Sequence, residues 1–202
     1  MAKTRTTLVI GVDLAGSPGR ITGICLLRGM TVVSYTTVHS DDDILSFIQN
    51  AKPALVAMDA PLGLPRGRKS LEERSPFHFR VSDLELRRRG IRFFPLTLGP
   101  MRMLTKRGMR LKKVIEKLGI PVIEIYPGAA QDIWKISRKQ GGLARLRRGL
   151  EKIGLKGLAK DMNGDELDAV TGALVGRLYL QGRAEVLGDV TEGAIIVPRK
   201  QQ

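Results

Sequence analysis

VIGVDLAGS, Val9–Ser17, is the stretch whose reading decides the fold. A run of apolar, β-prone residues carries one carboxylate, Asp13, and then stops on the small residues Ala15, Gly16 and Ser17. A carboxylate at the end of a buried strand is costly unless it is paired or binds a metal. In open α/β sheets, sites form beyond the carboxyl ends of the central parallel strands. Asp13 is therefore either the first residue of a site, if other acids can reach it, or a turn-former ahead of Gly16.

Two further strand patterns carry acids. ALVAMDA, Ala54–Ala60, follows Pro53 and is a short continuous apolar run, the mark of a strand buried on both faces. It ends on Asp59. PVIEIY, Pro121–Tyr126, holds Glu124 and is stopped by Pro127 and Gly128. A fourth acidic group opens the last helix, in GDELDAVTGALVG, Gly164–Gly176. Asp165 and Asp168 are three apart and share a helix face. At about 100° per residue, Gly172 and Gly176 continue that face, with Leu167, Val170, Leu174 and Leu178 roughly opposite. A face without side chains permits close approach to a sheet.

The rest of the chain supplies the frame. Thr7–Val12 reads as the first strand. Arg20–Leu27 and Met30–Val38 follow as a hairpin turning at Arg28 and Gly29. Ser40 caps a helix whose first turn holds Asp41, Asp42 and Asp43 and which runs to about Ala51. Pro61–Phe79 is a loop rich in Pro, Gly and Arg. Helices are expected over Val81–Arg89, Met103–Leu118, Ala129–Ile136 and Leu143–Ile153. The final helix starts at Asn163, with Glu166 at capping-box spacing, and runs to about Leu180. The tail, Val186–Pro198, resembles a short edge strand. This order predicts an α/β class: a mixed five-stranded sheet, its first three strands antiparallel and the rest parallel, flanked by helices in a single domain over residues 1–202.

Composition narrows the function. The chain has 202 residues, 43% of them hydrophobic, and a mean hydropathy of −0.07, an ordinary globular balance. No apolar run is long enough to span a bilayer. The opening MAKTRTTLVIGVD has no signal-peptide cleavage pattern, and the single cysteine, Cys25, cannot pair within the chain. These features point to the cytoplasm. The net charge is +14 and the pI about 10.4. From Arg102 to Lys160, 16 Lys and Arg stand against four acids. Such a field attracts polyanions, nucleic acid first among them, although a solvated basic surface would look the same. Aromatics are only 4% of the chain, so phosphate contacts are expected to dominate any binding.

Taken singly, each acid has a plain alternative. Asp165 can complement the helix dipole. Asp59 can bond backbone amides ahead of Pro61, and Glu124 can point to a polar face. Taken together, Asp13, Asp59 and the Asp165/Asp168 pair form a constellation that would repel itself unless cations bind between its members. An oxygen-only donor set suits Mg²⁺ or Mn²⁺, and such ions support phosphodiester hydrolysis.

GVDLAGS, AMDAPLGLP, FRVSDLELRRRG, EIYPGAA and DELDAV, in this order, resemble a domain-of-unknown-function family described as predicted nucleases with a ribonuclease-H-like fold. The resemblance covers nearly the whole chain, and AMDAPLGLP and EIYP are its more specific pieces. It implies an RNase H-like domain and an acidic set on the first strand, the fourth strand and the last helix, positions held here by Asp13, Asp59 and Asp165/Asp168. The D-x-x-D-A spacing is also similar to the last helix of RuvC-type junction resolvases. Those enzymes have a glutamate at the fourth-strand position, where this chain has Asp59.

The function expected is therefore a metal-dependent nuclease. Asp13, Asp59, Asp165 and Asp168 would be ligands to Mg²⁺ or Mn²⁺, with Glu124 a further ligand or a general base. Arg66 and Arg80 are candidate phosphate contacts, with Asp83 an orienter of Arg80 or another neighbour of the metal site; a local helix pair of Arg80 and Asp83 is the plain alternative. Lys139 is a third candidate, weighed against a solvated surface lysine. A non-catalytic nucleic-acid binder of the same fold is the main alternative. An actin-like phosphotransferase is a lesser one, because the chain is short for it and lacks a Gly-rich phosphate loop.

Overall fold

The computed structural model describes residues 7–200; the charged residues 1–6 that open the chain and residues 201–202 lie outside them. The chain alternates strands and helices: β1 (Leu8–Asp13), β2 (Thr22–Arg28), β3 (Thr31–Val38), α1 (Asp41–Ala51), β4 (Leu55–Asp59), α2 (Val81–Arg88), α3 (Gly99–Lys117), β5 (Val122–Ile125), α4 (Pro127–Ile133), α5 (Leu143–Lys152), α6 (Gly164–Leu180), β6 (Ala184–Leu187) and β7 (Ile195–Pro198). A 3-10 turn at Lys139–Gly141 precedes α5. No helix among the described residues is long and apolar enough to cross a membrane.

The strands make one mixed sheet in the order β3-β2-β1-β4-β5-β7-β6. The first three are antiparallel, and β4, β5 and β7 run parallel to β1. The sheet thus has seven strands, not the five expected. The tail contributes two of them. It is not a single edge strand but a hairpin in which β7 enters beside β5 and β6 folds back outside it. All four residues of β7 are buried, as an interior strand requires.

Alternation along the strands divides the core. Ile10, Val12, Val56 and Met58 face one way and pack against Ile44 and Ile48 of α1 and Leu111 and Ile115 of α3. Ala57 and Ile125 face the other way, into a cluster with Val170, Ala173 and Leu174 of α6. Gly172 and Gly176 lie on the sheet side of α6: a β-carbon on either would sit 3.0 Å from the Ile125 side chain or 2.9 Å from that of Val9. The opposite apolar face of α6 meets Leu146 and Leu150 of α5 and Ala130 of α4. A fully buried Val or Leu on this helix contributes roughly 1.5–3 kcal/mol. That anchorage fixes where the first turn of α6 lies.

Both helix starts read from the sequence form with reciprocal caps. The Ser40 hydroxyl accepts from the Asp43 N–H, and the Asn163 amide oxygen accepts from the N–H groups of Asp165 and Glu166. In each case the third residue of the helix returns a carboxylate to the cap.

Candidate active site

Strand pairing builds the first half of the site. Asp13 and Asp59 end β1 and β4, and the parallel register sets them directly side by side. Neighbouring strands lie roughly 4.8 Å apart, so two carboxylates meet at the carboxyl edge of the sheet. Leu14 and Ala60, the next residue on each chain, are buried, so both strands turn at once into packed structure.

The second half comes from α6, brought in by glycines. A β-carbon on Gly11 would lie 1.9 Å from the Ala169 carbonyl oxygen, and one on Gly23 would lie 2.2 Å from that of Asp165. Only glycine lets the α6 backbone come this near β1 and β2. The approach carries Asp165 and Asp168 to the strand ends. The carbonyl just past Asp13 is held as well: the buried Arg107 donates to Ala15 O at 2.8 Å, to His39 O and to Asp41. The Ala15 N–H donates to Thr22 Oγ1 at 3.1 Å.

One cation stands among these acids. The Lys139 ammonium donates to Asp13 Oδ2 at 3.2 Å, Asp165 Oδ1 at 2.9 Å and Asp168 Oδ2 at 3.0 Å. Burial works against its charge, but Asp13 and Asp168 outweigh that and hold its pKa above the ordinary lysine value. Asp59 takes no part in these ion pairs. One ammonium leaves most of the negative charge of four carboxylates uncompensated. Burial first, then repulsion from Asp168 and Asp165, raises Asp13 to about 7 against the pull of Lys139. Burial, then Asp13 and Asp168, hold Asp59 well above the usual carboxylate range.

Asp168 has an orienting shell that sequence reading missed. Gln131 Nε2 donates to Asp168 Oδ1 at 2.7 Å and lies 3.2 Å from Thr171 Oγ1, which itself donates to Leu167 O. Gln131 and Thr171 are almost fully buried. Gln131 follows EIYPGAA on α4, but nothing in its local sequence marks it as a neighbour of α6.

Glu124 and Arg80 lie elsewhere than expected. Glu124 pairs in register with Met58, one residue short of Asp59, so the pleat turns it to the other face of the sheet. There Arg80 grips it with two parallel bonds, Nη1 to Oε2 at 2.6 Å and Nη2 to Oε1 at 2.7 Å. The Leu62 N–H adds a third at 2.7 Å. The other donors of Arg80 go to Asp83, at 3.2 and 3.0 Å, and to Gly193 O at 3.2 Å. All five guanidinium N–H groups are thus used, with the side chain 2% exposed. Arg80 has no donor left for a phosphate, and both oxygens of Glu124 are engaged. Asp83 and Arg80 form the local pair of the plain alternative, and Arg80 is aimed at Glu124. Arg66 is the exposed member of the cationic set: its side chain is 75% accessible and pairs with Asp189 at 2.7 Å.

The donor set can be judged for a metal on its chemistry. Among the described residues, no three His, Cys, Asp or Glu side chains stand in a metal-ligating arrangement as they are. Yet three carboxylates already converge on one cation, Lys139, and all the donors are hard oxygens. Hard oxygens of this kind are the donors Mg²⁺ or Mn²⁺ takes, and Lys139 occupies the place between them here.

No family model matches the chain, so the resemblance to a domain-of-unknown-function family has no matching model behind it. No curated protein matches it either. Among solved structures, RuvC of T. thermophilus in complex with a Holliday junction substrate aligns with a TM-score of 0.51 at 14% identity, over 93% of this chain and 99% of that one. A second structure of Thermus thermophilus RuvC gives a TM-score of 0.49 at 13% identity over the same shares. At such identity the likeness is one of fold: this chain has the RNase H-like α/β fold of RuvC, with a seven-stranded mixed sheet and six helices among the described residues.

Proposed function

We propose that this protein is a metal-dependent nuclease that hydrolyses phosphodiester bonds of nucleic acid at the Asp13, Asp59, Asp165, Asp168 cluster, with Mg²⁺ or Mn²⁺ as its ion. The observation that carries the reading is the convergence of Asp13, from a strand, and Asp165 and Asp168, from a distant helix, on a single cation. The net charge of +14 supports a polyanionic substrate. The RuvC fold supports the class of chemistry, and the RuvC structure that matches holds a junction substrate.

In this reading each residue has a defined task. Asp13 and Asp59 hold the ion from the sheet. Asp168 holds it from the helix, with Gln131 fixing its carboxylate plane, and Asp165 completes the set nearer to solvent. A bound divalent ion supplies a water of lowered pKa and compensates charge on the leaving oxygen. Lys139, released from the carboxylates, pairs with the phosphate, and Arg66 adds a second phosphate contact from the loop after β4. Glu124 and Arg80 support the site without touching substrate.

The test is cleavage of single-stranded, duplex and branched DNA and RNA with Mn²⁺ or Mg²⁺. We expect turnover that EDTA abolishes and that Asp13→Asn and Asp168→Asn each lower by about a hundredfold or more. No cleavage of any substrate, or cleavage unchanged in Asp13→Asn, overturns the reading. Salt-dependent binding without turnover would select the non-catalytic binder instead.

A further inference from the structure

The sequence is poor in aromatics, with five Phe, three Tyr and one Trp, yet the fold brings four of these nine together. Phe93, Phe94 and Tyr126 line an apolar recess of about 160 Å³ that also has Asp59 in its wall. The same three rings line a wider groove of about 630 Å³ that opens outward and adds Phe79. A lane of aromatic rings therefore leads from solvent to one of the four site carboxylates.

Cations are set among the rings. The Arg87 guanidinium lies 4.2 Å from the centre of the Phe79 ring, and that of Arg138 lies 5.5 Å from the centre of Tyr126. Arg92 lines the groove too, and neither it nor Arg87 has a carboxylate partner among the described residues. Phe79 and Phe93 meet edge to face at 6.1 Å, which fixes the floor. Phe94 stands out from it, 72% exposed. A ring exposed to that degree leaves most of its surface free to meet a ligand.

From this we infer that the groove of Phe79, Phe93, Phe94 and Tyr126 is a binding site for an unpaired nucleic-acid strand, which enters along it toward Asp59 with bases stacked on the rings. The inference rests on the nuclease reading for its direction, but its binding surface is separate from the carboxylates. Charge complementarity names the occupant: alternating rings and arginines suit bases and phosphates together. A duplex keeps its base faces inside the stack and cannot use such a lane without extruding a nucleotide. Apart from Asp59, the charged groups in the recess wall, Arg80, Asp83 and Glu124, are bonded to one another, so little remains to read base edges. Binding is therefore set by stacking and is tolerant of sequence.

The experiment is fluorescence anisotropy in EDTA, where cleavage plays no part. The probes are a labelled oligothymidine of about 12 nucleotides and a duplex of the same length. We expect the wild-type protein to prefer the single strand. Phe94→Ala, at an exposed position, should weaken single-strand binding about tenfold and leave duplex binding unchanged, while Phe94→Tyr keeps the affinity. Arg92→Ala should weaken it further and flatten its salt dependence. Unchanged single-strand affinity in Phe94→Ala overturns the inference, as does equal loss on both probes. Cleavage lost with this binding pattern intact would count against the nuclease reading alone.

Discussion

Two carboxylate clusters sit at the same edge of one sheet, and each is served by one basic side chain. On one face Arg80 meets Glu124 and Asp83 with every donor spent and 2% of its side chain exposed. On the other face Lys139 meets Asp13, Asp165 and Asp168 with 31% of its side chain exposed, and makes no ion pair with Asp59. Arg80 is a planar fork that matches a carboxylate bidentately; Lys139 is a point charge on a flexible stem. The first cluster is closed, with one cation for two carboxylates and every donor and acceptor of the pair engaged. The second has one cation for four carboxylates and is open to solvent. Closure with every donor spent is what a structural clamp needs, whereas surplus charge with access is what the proposed site needs.

The sharpest way to break this contrast is to remove the clamp. Arg80→Met leaves two buried carboxylates without a partner and should cost about 3–5 kcal/mol in chemical denaturation. A loss below about 1 kcal/mol would show that Arg80 is not structural and would return it to the list of phosphate contacts.

Next in size is the support of Asp168. Gln131→Leu keeps volume but removes the N–H that Asp168 accepts from, and should weaken Mn²⁺ binding by about tenfold or more in calorimetry. Unchanged Mn²⁺ affinity would mean that Asp168 needs no orientation.

Surplus charge can be read through pH. Burial and neighbouring acids raise Asp13 from 3.8 to about 7. The fold thus favours the protonated form, so Asp13 contributes stability that is fully present below about pH 4 and lost as the pH rises through about 7. Asp13→Asn should therefore stabilise the metal-free protein at pH 8 by on the order of 1–2 kcal/mol, with the gain vanishing near pH 4. A variant less stable than wild type at pH 8 would show that the Lys139 pair outweighs the repulsion.

The smallest effect belongs to Lys139 itself. Lys139→Met should cost the metal-free protein about 1 kcal/mol, because its charge is partly solvated. Added Mn²⁺ should then raise the melting temperature of the variant by more than it raises that of the wild type. An equal rise in both would mean that Lys139 and the ion do not compete.

Much of this was legible in the residues, and for local reasons. Apolar runs flanked by Pro and Gly located β1, β4 and β5, and the caps at Ser40 and Asn163 located α1 and α6, because strand and helix starts are written in neighbouring side chains. The tail was misread because two strands of four residues each, joined by a connection with its own 3-10 turn at Val190–Glu192, carry no signal that one of them enters the sheet interior. Glu124 was misplaced because pleat parity depends on register with Met58, a pairing across more than sixty residues.

The sequence by itself determined an α/β chain of strongly basic charge, with acids at two strand ends and on the first turn of a buried helix. Periodicity, capping and charge are local quantities, so one chain suffices to read them. Only the tertiary structure decided which acids meet. The parallel register joins Asp13 to Asp59, and the bare backbone of Gly11 and Gly23 lets Asp165 and Asp168 approach. The same packing hands Glu124 to Arg80, places Lys139 among the acids and sets Phe93, Phe94 and Tyr126 in one recess with Asp59. Each of these is a contact between distant segments, fixed by packing and pairing, which no window along the chain contains.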